Sequence, residues 1–129
     1  MTNTAKKDIL SAAPNPYRNK VYIVSITQEI SLNQQSYLFG LRYVPDKLLL
    51  NDAGLANYLE QTLGHKAKSA EILTHEILED ITDQIIPKWI EVNLRQKDND
   101  HGQNIFITME DRQPGWENTP LLNRLPAIF

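Results

Sequence analysis

No cysteine occurs among the 129 residues. That excludes disulfides, a thiolate nucleophile, zinc–thiolate sites and iron–sulfur clusters. It is compatible with a cytoplasmic setting. Cations are outnumbered, with 13 Lys and Arg against 16 Asp and Glu and a formal charge of −3. Nucleic acid or an anionic membrane would want clustered Lys and Arg, so neither is an expected partner. No apolar run approaches the roughly 18 residues of a membrane span. The opening stretch MTNTAKKDILSAAPNPYRNK lacks the apolar centre of a signal peptide. A soluble cytoplasmic protein is the expectation. The five glycines are dispersed, with no Gly-x-Gly-x-x-Gly or Walker loop. The three histidines, His65, His75 and His101, have no metal-ligand spacing, and no metal is expected. DNDHG, 98–102, looks like half a calcium loop, but Met109 stands where the bidentate Glu should be. A hairpin turn is the simpler reading.

What is present suits one compact domain: 41% apolar and 22% charged residues. Residues 1–19 are polar and broken by Pro14 and Pro16, and read as a flexible arm. KVYIVSITQE, 20–29, alternates as a strand, and so does SYLFGLRYV, 36–44, which Pro45 ends. Between them, 30–35 reads as a polar connection. Asn51 or Asp52 caps a first helix carrying Leu55, Leu59 and Leu63, with Gly64 as its stop. Ser69 caps a second, with Ala70, Leu73, Ile77, Ile81 and Ile85 as its apolar stripe and Pro87 as its end. WIEVNLR, 89–95, and NIFITME, 104–110, complete two more strands. The domain therefore spans 20–110. The remainder, 111–129, contains Pro114, Pro120 and Pro126 and reads as a tail free to wrap a neighbour. The order β-β-α-α-β-β predicts an α+β fold: a four-stranded antiparallel sheet with both helices on one face. Its two open edges predict oligomerisation.

One residue on the second helix raises a functional question. At about 100° per residue, Glu76, Glu79, Asp80 and Asp83 gather on the wet side. Glu71 falls on the flank of the apolar stripe, in the first turn. An acid there meets the positive helix end, worth about 0.3–1 kcal/mol. The functional alternative is a carboxylate facing a pocket, accepting two parallel N–H bonds from a flat heterocycle. Dry, charge-assisted bonds of that type contribute about 1.5–3 kcal/mol each. Both readings stand at this point. Tyr22, Tyr43, Trp89 and Trp116 are candidates to stack a ring, although aromatics on strands more often serve core or interface.

RYVPDKLLLNDAGLANYLEQ followed by SAEILTHEILEDITDQIIPKWIEV resembles the NADPH-dependent 7-cyano-7-deazaguanine reductases of queuosine biosynthesis, the QueF family. The resemblance covers about residues 20–115. Tyr43-Val44-Pro45-Asp46 and Pro87-Lys88-Trp89-Ile90-Glu91-Val92 match that family's anchors. The resemblance implies the tunnelling fold, which has the order derived above. The family's Phe-His-Glu motif lands on Ser69-Ala70-Glu71, keeping only the glutamate, which implies that Glu71 grips a purine- or pterin-type ring. Its Glu-Ser-Lys-Ser segment, which helps hold substrate and NADPH, lands on Asn51-Asp52-Ala53-Gly54, making Asn51 and Asp52 weaker binding candidates. The nucleophilic cysteine falls near Gln28 and its partner aspartate near Gln35. Nitrile reduction there passes through a covalent thioimide, and this chain has no thiolate to form one.

Three functions follow as expectations. The first is a diverged QueF-like protein that binds a planar base at a subunit interface, with altered or lost catalysis. The second is a pterin enzyme of the dihydroneopterin-aldolase type, although Lys97 lacks that family's following proline. The third is a structural or interaction subunit with an empty pocket.

Overall fold

A computed structural model describes residues 9–32, 34–64 and 68–128. The chain is α+β with antiparallel sheets. Four strands form the main sheet in the order β2-β3-β5-β6: β2 (Val24–Leu32), β3 (Gln35–Val44), β5 (Trp89–Lys97) and β6 (Ile105–Arg112). Between the two hairpins lie α1 (Asp52–Leu63) and α2 (Ala70–Ile85). This matches the predicted order of the sheet and its helices. Two further short strands, β1 (Ala12–Pro14) and β4 (Leu48–Leu50), pair with each other, and α3 (Thr119–Leu122) lies in the C-terminal segment.

Strand alternation divides the sheet into two unlike faces. Val24, Ile26 and Ile30 stand opposite Tyr43, Leu41 and Tyr37. Those pair onward with Ile90, Val92 and Gln96, and Val92 with Met109. This face meets Leu55, Tyr58, Leu59 and Leu63 of α1 and Leu73, Ile77, Ile81 and Ile85 of α2 in one core. Helix α2 lies over β5 and β6, and α1 packs beside it toward β2. The other face carries Arg42, Trp89, Glu91, Asn93, Phe106 and Thr108.

Several boundaries follow from single side chains. Asn51 caps α1 by accepting the Gly54 N–H, and Ser69 caps α2 by accepting that of Ile72. Helix α2 stops where Ile86 turns left-handed at φ 44°, just before Pro87. The first hairpin is tighter than expected. Leu32 pairs directly with Gln35, so the segment read as a polar connection is mostly strand, turned through Gln34 at φ 65°. The second turns through Asp98 and Gly102, both left-handed. There Asn99 accepts the N–H groups of His101 and Gln103, so DNDHG serves as a hairpin turn.

The arm expected over 1–19 is docked in its described part. Leu10 is fully buried, and β1 pairs with β4 in register Ala12 to Leu50. Asn15, also buried, donates to the Asp46 carbonyl and accepts from the Tyr17 N–H and the Tyr22 hydroxyl. Composition hid this because the pairing needs only three residues and one asparagine. The tail from 111 also differs. The Arg42 Nη1 donates to the Pro126 carbonyl at 2.6 Å, so the segment folds back across its own sheet.

Candidate functional site

The exposed side of α2 forms a shallow hollow of about 510 Å³. Lys68, Glu71, Ile72, His75, Glu76, Glu79, Asp80 and Asp83 line it. Here the helical-wheel reading is corrected: Glu71 does not stand apart from the other acids. Glu71, His75, Glu79 and Asp83 follow one another every four residues. Such a row drifts by about 40° per step, which carries it from the flank into the acidic face.

The carboxylates differ in their company. Glu76 pairs with Lys68 Nζ at 3.2 Å, and Glu79 with His75 Nδ1 at 3.2 Å. Asp80 accepts from the Tyr58 hydroxyl at 2.5 Å, joining α2 to α1. Burial, and then the Asp80 hydrogen bond, push the Tyr58 phenol far above its ordinary value. Glu71 makes no hydrogen bond or ion pair among the described residues. It is exposed in the first turn of α2, and Ile72 beside it is 56% exposed. An exposed acid next to a bare aliphatic side chain offers a hydrogen-bonding edge and an apolar shoulder together.

The other candidates are scattered. Asn51 is occupied as the α1 cap, and its own N–H donates to the Ser11 carbonyl. Asp52 is exposed in the first turn of that helix. Neither lines the hollow, and the twelve-residue α1, about 18 Å long, separates them from the start of α2. Gln28 pairs with Phe39 midway along the edge strand β2, and Gln35 pairs with Leu32 at the hairpin. Four residue steps lie between those pairs, about 13 Å along the strand. Gln35 donates to the Lys97 carbonyl and accepts from Gln96, fixing the ends of β3 and β5 together. It borders a second, polar hollow of about 370 Å³ with Tyr37, Gln96 and Asp98. Burial raises the Tyr37 phenol there. Lys68 lines both hollows and so stands between them.

The proposed stacking aromatics point elsewhere. Tyr43 is core, its hydroxyl accepting the Leu50 N–H. Trp89 is buried and donates to Glu110 at 2.7 Å. Tyr22 is held by Asn15, and Trp116 lies against the Arg112 guanidinium. Of the histidines, His75 is exposed on α2 and His101 sits in the second hairpin, while His65 falls outside the described residues.

The least anticipated constellation lies on the second sheet face. Arg42 reaches Glu91 Oε1 through Nη2 at 2.6 Å and Nε at 2.8 Å. Asn93 donates to the same oxygen, and Thr108 to Asn93. The cross-strand pairing of Arg42 with Glu91 was recoverable from the alternation, since both oppose the apolar positions of their strands.

No protein-family model matches the chain. No curated protein matches it either. Among solved structures the chain is similar to one described as the crystal structure of the archaeosine synthase QueF-Like in the apo form. The TM-score is 0.49 at 14% identity, covering 70% of this chain and 91% of that one. The likeness concerns the chain path, and nothing about ligand or reaction follows from it. No helix among the described residues is long and apolar enough to cross a membrane.

Proposed function

We propose that the chain is a QueF-like tunnelling-fold protein that assembles through its sheet edges. Each copy offers Glu71 to a planar purine- or pterin-type base at the seam with a neighbour. The observation that carries this reading is the Glu71 carboxylate, without a hydrogen bond or ion pair among the described residues, beside exposed Ile72 at the start of α2. A carboxylate can accept two parallel N–H bonds from such a ring, and the positive helix end favours its charge. In water those bonds would contribute little, so the grip requires a second surface to exclude solvent. Among the described residues β2 and β6 are each paired on one side only, and such open edges provide the means to bring a second copy there. The base is bound without nitrile reduction, because 129 residues without cysteine contain no nucleophile for a thioimide.

A thermal-shift panel with guanine, 7-deazaguanine and neopterin tests the reading. Stabilisation of the wild type by at least one ring, and none in Glu71→Gln, is the expected pattern. Absence of any shift in the wild type would leave a structural subunit. Aldol cleavage of dihydroneopterin would move the assignment to the aldolase type. NADPH oxidation with a nitrile substrate would overturn the argument from the missing thiol.

A further inference from the structure

We infer that residues 113–128 form a releasable strap over the second face of the sheet, latched by the Pro126 carbonyl on Arg42. This goes beyond the Glu71 reading and does not depend on it, since the helices and Glu71 lie across the sheet from the strap.

The seat is built. Arg42 is nine-tenths buried, and Glu91 occupies its Nε and Nη2 while Nη1 reaches the Pro126 oxygen. Asn93 and Thr108 extend the polar row across β5 and β6. A charged guanidinium already neutralised by Glu91 suits a neutral acceptor, and a backbone carbonyl is one. The strap itself is lightly held. None of residues 113–128 is fully buried, and Leu121, Leu122, Leu125 and Ile128 are only half-buried. Gln113 anchors its root to Lys88, Asp46 and Ile86. Beyond that root, the Arg42 bond is the one hydrogen bond among the described residues that ties 117–128 to the sheet. Gly115, left-handed at φ 77° with open space around it, lies between root and latch and provides the bend. Among the described residues, opening therefore breaks one hydrogen bond to the sheet and leaves the sheet's ladder and helical core intact, which is the condition for a local rather than global transition.

Amide hydrogen exchange on the full chain tests this. The wild type is measured over a urea series, with Leu122–Leu125 compared against Val92 and Leu94. The strap amides should exchange at least a hundredfold faster than the strand amides and with almost no urea dependence. In Arg42→Lys the strap should exchange about tenfold faster still, with the strand amides unchanged. Strap amides that share the strands' rate and urea slope in the wild type would show that the segment opens only on unfolding, and would overturn the proposal. So would a strap indifferent to Arg42→Lys in a variant whose strands keep their protection.

Discussion

Single residues carry the backbone strain in this molecule and the recognition proposed for it. Ile86 is the clearest strain. It is β-branched, holds φ 44° and ψ 63°, and is 60% exposed. Left-handed backbone costs a residue with a Cβ roughly 1–2 kcal/mol, and the side chain recovers little by packing. Ile86→Gly should therefore raise the urea midpoint by an amount equivalent to about 1 kcal/mol. A midpoint that stays or falls would mean that the isoleucine packs better than its exposure indicates. Glu71 shows the opposite balance. Its structural worth is the helix-end term, about 0.3–1 kcal/mol, so Glu71→Gln should leave the fold almost untouched. The sequence located this residue and its place in the first turn. It misjudged the neighbourhood, because a wheel drawn from one helix separates side chains that an i, i+4 row brings together.

At the scale of elements, local chemistry was readable and long-range docking was not. The caps at Asn51 and Ser69, the stop before Pro87 and the alternation of four strands follow from short stretches. The docking of the arm and the return of the tail depend on contacts between distant residues, such as Asn15 with Asp46 and Arg42 with Pro126. Gly54 marks the first of these. A Cβ there would meet the Ile9 carbonyl oxygen at 2.8 Å, a backbone atom with little room to yield. Helix propensity alone favours Gly54→Ala by about 1 kcal/mol. Overpacking against the arm costs about 1–3 kcal/mol. The clash should win, so the melting temperature of Gly54→Ala should fall by several degrees. A rise would show that the arm contributes nothing to stability.

The whole molecule joins one apolar layer, shared by sheet and helices, to a polar second face under the strap. Tyr37, Tyr43 and Tyr58 all lie in the apolar layer, and burial raises each phenol above its ordinary value of 10.0. Below pH 10 these groups are protonated in both states and the contribution is complete. Above pH 10 the unfolded chain sheds protons that the folded chain keeps. Stability should then fall by about 1.4 kcal/mol per pH unit for each tyrosine still protonated in the fold. Urea midpoints taken from pH 8 to 11 should be level at first and then drop steeply past 10. A flat profile would mean that the phenols reach solvent. The proposed assembly belongs to this scale too, since a base held by an exposed glutamate needs a second copy to dry the site. The most direct test is calorimetric titration of 7-deazaguanine into wild type and Glu71→Gln, with sedimentation run on both. The expected result is a wild-type oligomer that binds the base and a variant of the same size that binds it about 10–100-fold more weakly, the worth of one charge-assisted pair. Equal affinity in the two proteins, or a wild-type monomer that binds as tightly as an oligomer, would contradict it.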